Sequence, residues 1–391
     1  MNRNRAVLKS AIVLYFVICL EILIMISPFA GFFYSVFNPF LLGLARYPAT
    51  RWLSSFFLPH MVVPPDDFLK FIRIMGSVLF VGGIVVFLAC AVQVYVNKFL
   101  GKGAVSRGLY SFIRHPQYLS LAVTGIGLAI LWPRFLVAVL WLPMVLIYYF
   151  LSKDEERRML KEYPDTYRQY MERTGMLLPG KVESLLSPAT AAGKTILVVV
   201  ICAFTIGSAF FLRAYTVRHL PLWTDGNVVA LAVLPEDSAK MEHRMGDILN
   251  MGEVKARLKS KDRYLVYFLP PNYIMQGLIA NTGGEWKLYK HQHSIGMFAD
   301  WIIHPFSHLR KGHHMMHRSL AHPGHNVGIQ RRLIFLKVNC VRESWPYDAL
   351  SIDAGRTPDF MVDMDVHGLV IHNLKELPKN TGWGKVPTPV F

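Results

Sequence analysis

Four long apolar runs constrain this chain more than any other feature. Residues 11–37 carry one charge, Glu21, and follow Arg3, Arg5 and Lys9. Residues 74–97 and 195–212 carry none, and residues 118–152 carry only Arg134, beside Trp132 and Pro133. A helix crosses the hydrocarbon core in about 20 residues, and only helices and closed barrels satisfy their backbone there. The first run exceeds the apolar core of a signal peptide, about 7–15 residues, so it reads as an uncleaved first span. The Trp132-Pro133 break divides 118–152 into two short or tilted helices, a hairpin. The expectation is a mainly α, polytopic membrane protein with about five transmembrane helices, including that short hairpin.

Composition supports a membrane reading. Mean hydropathy is +0.32 and charged residues make up 17%, against the roughly 25% usual in soluble domains. The net charge of +16 would suit nucleic acid, but no basic run alternates with aromatic residues on a soluble helix, so no nucleic-acid partner is expected. Cys19, Cys90 and Cys202 lie in apolar runs and Cys340 stands apart, without a CxxC pair. A disulfide framework, a cysteine zinc site and c-type haem attachment are unsupported.

Basic residues of short loops set orientation. Lys98, Lys102, Arg107 and Arg114 lie between the second and third spans, and Lys153, Arg157, Arg158, Lys161, Arg168 and Arg173 follow the fourth. Lys98 and Lys102 read as plain anchors. The N-terminus and both segments then face the cytoplasm, and one more crossing places everything after Arg213 outside. In a bacterium this is an inner-membrane protein with a periplasmic C-terminal domain. The chain divides into a membrane domain (1–190), a fifth helix with linker (191–222) and a soluble α+β domain (223–391) of about 170 residues, enough for its own core. In that domain, 228–234, 264–269, 286–289 and 332–339 read as strands, and 238–258 as one helix capped by Ser238.

Two polar segments frame the hairpin. The first contains Gly108, Tyr110, Arg114, His115, Pro116 and Tyr118. The second opens at Glu155 and Glu156 and runs through Tyr163, Tyr167, Tyr170 and Arg173 to Leu178 and Pro179. Ionisable groups beside hydrocarbon are costly and are functional candidates by default. Pro116 biases His115 out of helical geometry, so this stretch reads as a turn entering the third span. A hairpin returns its ends to one place, so His115, Tyr118 and Glu156 can converge. The stretch 155–173 has helical period, with Tyr163, Tyr167 and Tyr170 on one face.

In order, these elements resemble the membrane-embedded S-adenosylmethionine-dependent methyltransferases, which include isoprenylcysteine carboxyl methyltransferase and the phospholipid N-methyltransferases. The resemblance covers about residues 71–180. It implies a cofactor pocket lined by His115 and Tyr118, with Glu156 holding the cofactor's polar groups; Arg114, Tyr110, Tyr167 and Glu155 are further cofactor-binding candidates, Glu155 reading as solvated or behind the direct ligands. Glu156 and Arg173 would be the catalytic pair that orients the acceptor, with Glu156 as base if the acceptor arrives as a protonated amine. Where the family often has glycine two residues after the motif tyrosine, this chain has Ser120.

Nine of the fifteen histidines fall between His291 and His325. His304 with His308, and His313 with His317, have the i,i+4 spacing of helical metal ligands; the same pairs could ligate haem, or the segment could dock a subunit or anionic headgroups. The expected function is methyl transfer from S-adenosylmethionine to a membrane lipid or other lipophilic small molecule at the cytoplasmic face. The alternatives are an accessory membrane subunit that keeps this fold as an anchor and meets protein partners through 223–391, or a related membrane reductase with a nicotinamide cofactor.

Overall fold

The computed structural model describes residues 47–60, 66–101, 105–271, 330–339 and 345–379, with single positions 16, 19, 20, 23, 43, 44, 62, 273 and 280. The expected first span, the strand at 286–289 and the histidine pairs lie outside the described residues, apart from a few isolated positions of that span. The chain forms two compact units. One comprises Met1–Asn38 with Phe68–Leu212, the other Pro39–Asp67 with Arg213–Phe391. Among the described residues the α-helices are, in chain order, α1 (Pro48–Ser54), α2 (Asp67–Phe99), α3 (Pro116–Leu131), α4 (Phe135–Glu162), α5 (Pro164–Arg173), α6 (Gly180–Leu186), α7 (Ala191–His219), α8 (Ser238–Asn250) and α9 (Gly252–Arg257).

Among the described residues, three helices are long and apolar enough to cross a membrane: α2, α4 and α7; α3 is apolar but shorter. The expected hairpin is present, with unequal arms. Pro116 opens α3 at its first helical position, where its missing N–H costs nothing. The helix stops at Trp132, and α4 starts after Arg134. α4 then continues through Glu155 and Glu156 to Glu162 instead of ending near the membrane surface. The single helical period expected over 155–173 is broken at Pro164, which opens α5, leaving Tyr163 as the hinge while Tyr167 and Tyr170 share the new helix.

Small residues bring the arms together. A side-chain carbon on Gly127 would lie 2.3 Å from Phe80 N in α2, and one on Gly125 would lie 2.7 Å from Trp141 in α4. Close approach of this kind drives helix association where no hydrophobic effect operates between helices. Phe87, Tyr118, Leu121, Leu128, Met144 and Tyr148 fill the space among the three helices. Ser120 is accommodated: it is buried and donates to the Gln117 carbonyl at 2.9 Å.

Among the described residues, the second unit holds one six-stranded sheet in order β1 (Leu222–Asp225), β2 (Val228–Ala232), β3 (Arg263–Leu269), β4 (Gln330–Asn339), β5 (Gly355–Asp365), β6 (Val370–Glu376). Only the β2–β3 pair is parallel, as its α8–α9 crossover requires; the other neighbours run antiparallel. Alternate side chains face opposite ways, and both faces are buried. Val228, Ala230, Val266 and Phe335 pack with Met241, Met245 and Ile248 of α8. Val229, Leu231, Leu265 and Ile334 pack with Val62, Leu220 and Leu350. The single expected helix at 238–258 is two helices, because Met251 adopts extended geometry. Ser238 is not its cap: Asp237 holds that position, and its carboxylate takes Arg331 Nη2 at 2.7 Å and Nε at 2.9 Å instead of a helix N–H. β1, β5 and β6 were not expected from sequence.

Candidate functional site

The polar segments meet where α2, α3, α4 and α5 end or begin. The motif loop pairs with the chain after α5. Arg114 N–H donates to the Gly175 carbonyl (2.8 Å), His115 N–H to Met176 (3.0 Å), and Gly175 N–H to Phe112 (3.3 Å). Upstream, Gly108 takes a φ of 65°, a conformation open to glycine at little cost. Tyr170 donates to the Tyr110 carbonyl at 2.5 Å, and the Tyr110 hydroxyl donates to Gln117 Oε1 at 3.1 Å. The turn is thereby tied to both α5 and α3.

Arg114 and Glu156 are both buried and meet side by side, Nε to Oε1 at 2.6 Å. Arg114 Nη1 also donates to the carbonyls of Met171 (3.1 Å) and Thr174. Lys153 approaches the other Glu156 oxygen at 3.7 Å. His115 lies between the two carboxylates. Its Nδ1 is 3.2 Å from Glu155 Oε2 and its Nε2 is 3.8 Å from Glu156 Oε1, without a well-aligned hydrogen bond at either nitrogen. Burial disfavours the charged imidazole, but the Glu155 and Glu156 carboxylates beside it outweigh this, and the His115 pKa stands above its ordinary value. Tyr118 donates to Glu155 and stacks between His115 and Tyr148.

Above this cluster opens a cavity of about 590 Å³. From the first segment its wall takes Tyr110, Arg114, His115 and Gln117; from α4 it takes Glu155, Arg158 and Glu162. Tyr163, Tyr167 and Tyr170 close another side, and α2 contributes Ala91, Val94, Tyr95 and Lys98. Burial pushes the Tyr110 and Tyr167 phenols above their usual range and Tyr170 up to about 12, against the lowering pull of Arg114. These phenols remain protonated hydrogen-bond donors at neutral pH.

Of the residues singled out from sequence, Tyr110, Arg114, His115, Glu155 and Tyr167 line the cavity. Tyr118 and Glu156 lie behind the wall, buried, each bonded to a lining residue. Arg173 is exposed at the end of α5 and does not line the cavity. Sequence reasoning passed over Gln117, the variable position inside Arg-His-Pro-x-Tyr. Lys98, read as a membrane anchor, also lines the cavity, on the helical face it shares with Tyr95 at i,i+3 spacing. The four histidines proposed as metal ligands, His304, His308, His313 and His317, lie outside the described residues; among the described residues no cluster of three or more potential ligands occurs.

Fold and site together define a helical membrane protein with a polar cavity at the open end of a helix hairpin. Residues 93–166 match the family model of the phospholipid methyltransferases. The match runs from the end of α2 through the motif turn and the hairpin into α5, and it covers the cavity's main walls. The resemblance read from the two polar segments therefore holds for this part of the chain. No curated protein and no solved structure gives a significant match.

Proposed function

We propose that this protein transfers a methyl group from S-adenosylmethionine to a lipophilic acceptor. One observation carries the reading: two segments 40 residues apart, both within or beside the family match, converge on one cavity with Glu155, His115 and Arg114 at its wall. The donor set suits the ligand. Glu155 and the tyrosine hydroxyls offer acceptors for a cationic sulfonium and amino group, and Arg114 or His115 offers a donor to a carboxylate. When bound, S-adenosylmethionine supplies an activated methyl group whose departure turns a sulfonium cation into a neutral thioether. The protein needs no covalent partner for such a displacement; alignment of the two reactants supplies the rate.

Glu155 is the group best placed to take a proton from an amine acceptor, since Glu156 is committed to Arg114. Arg173, expected in the catalytic pair, sits outside the cavity and serves at most the entry of an acceptor headgroup. The apolar wall from α2, Ala91 and Val94, belongs to a membrane helix and suits an acyl or isoprenoid chain entering from the bilayer. A lipid amine, an isoprenoid or quinone-like hydroxyl and a lipid-linked carboxylate are all compatible.

The motif segments face the cytoplasm on this reading, by their loop charge, in a bacterial inner membrane, and the C-terminal domain is periplasmic. The second unit supports one part of it. Arg213, nearly two turns before the end of α7, donates to the carbonyls of Phe56 and Leu350, and Arg51 donates to the Asp353 carbonyl at 3.4 Å. The segment before α2 and the domain after α7 thus share a core and belong on one side of the bilayer.

The reaction is tested by incubating the purified full chain with methyl-labelled S-adenosylmethionine and a total membrane lipid extract. Label is expected in the organic phase and absent with Glu155→Ala; label that stays aqueous with the wild type contradicts the proposal.

A further inference from the structure

The backbone that holds Arg114 and His115 has its own support. The turn at 175–178 gives two carbonyls, Gly175 and Met176, to the N–H groups of Arg114 and His115. Its next three N–H groups, on Met176, Leu177 and Leu178, converge on a single oxygen, Glu183 Oε2, at 2.6, 3.1 and 3.3 Å. Pro179 follows and has no N–H to offer. Successive backbone N–H groups of this kind form an anion-binding concavity, and here a carboxylate from the first turn of α6 occupies it. Charged acceptors make the stronger hydrogen bonds. α6 is itself set by Val182 and Glu183 N–H bonds to the Pro179 carbonyl at 2.8 and 2.9 Å.

The turn is also sterically closed. A side-chain carbon on Gly175 would meet the Leu178 carbonyl oxygen at 1.8 Å and Glu183 Oε2 at 2.9 Å. Only glycine permits the turn to fold this tightly around the carboxylate. Neither Gly175 nor Glu183 lies within the matched span 93–166, and neither touches the cavity.

We infer that Glu183 is a positioning residue for the site: its carboxylate sets the turn that presents Arg114 and His115 to the cavity. The inference rests on the proposed function only in taking that cavity as the working site. Glu183 acts through backbone, two hydrogen-bond steps from the wall.

The test uses the full chain in detergent, with Glu183→Ala and Glu183→Gln. The amide oxygen of glutamine still accepts from the turn; alanine does not. The first readout is the NMR titration of His115, assigned by its loss in His115→Gln. In Glu183→Ala the midpoint falls toward that of a free imidazole, because the ring loosens from Glu155 and Glu156, and Glu183→Gln restores it. The second readout is calorimetric affinity for S-adenosylmethionine, expected to weaken about tenfold in the alanine variant, on the scale of one charged hydrogen bond. An unmoved midpoint in Glu183→Ala overturns the inference. A wild type that fails to bind S-adenosylmethionine removes the proposed function and leaves the titration to decide the role of Glu183. Should Glu183→Ala not fold, Glu183→Asp, which withdraws the carboxylate by one methylene, is read in the same way.

Discussion

His115 sits between Glu155 and Glu156, and its titration reports whether that arrangement exists in solution. Its pKa is raised in the folded protein. The stabilisation from this pairing is therefore fully present below the unfolded imidazole value, about 6.5, and is lost as pH rises through the higher folded value. An NMR midpoint above that of a free imidazole is expected; one at or below it contradicts the pairing. Glu155 and Glu156 should separate by readout. Glu156→Ala strips a buried Arg114 of its carboxylate, and breaking one side of a buried pair costs about 3–5 kcal/mol, visible as a lowered unfolding midpoint. Glu155 is half-buried at the cavity wall, so Glu155→Ala is expected to lower the unfolding midpoint less than Glu156→Ala does. The sequence showed that both carboxylates reach the hairpin mouth. It did not show which faces the cavity, because adjacent residues on a helix point about 100° apart and the phase depends on how α4 packs.

At the scale of elements, hydrophobic runs and prolines announced α2, the α3–α4 hairpin and α7. The helical period read over 155–173 holds as far as Glu162; hidden were its unbroken continuity with the membrane part of α4 and its break at Pro164. Packing was not legible: no local pattern tells that Gly125 and Gly127 serve different partners, α4 and α2. Gly127→Val is expected to wedge α2 from α3, at a cost on the order of 1–3 kcal/mol for overpacking, measured by thermal unfolding in detergent; an unchanged midpoint contradicts the packing. Glu183 had no signal in sequence, since its three donors are backbone groups.

For the whole molecule, two units emerged where composition suggested a membrane part, a linker and a soluble part. Segment 39–67 joins the C-terminal unit, a long-range association that no local pattern carries. Strands β5 and β6 were missed because their alternation is imperfect: β5 contains Pro358, and β6 is an edge strand with mostly exposed residues, as edges commonly are. A topology reporter fused after Phe391 is expected to read periplasmic; a cytoplasmic signal contradicts the assigned sidedness. The central claim remains that the cavity at the hairpin mouth holds S-adenosylmethionine. Isothermal calorimetry of the full chain with S-adenosylmethionine tests it most directly, with Glu155→Ala as comparison. Saturable binding to the wild type, weakened about tenfold or more in the variant by loss of a charged contact, is the predicted result. No binding to the wild type, or equal affinity in both proteins, would contradict the account.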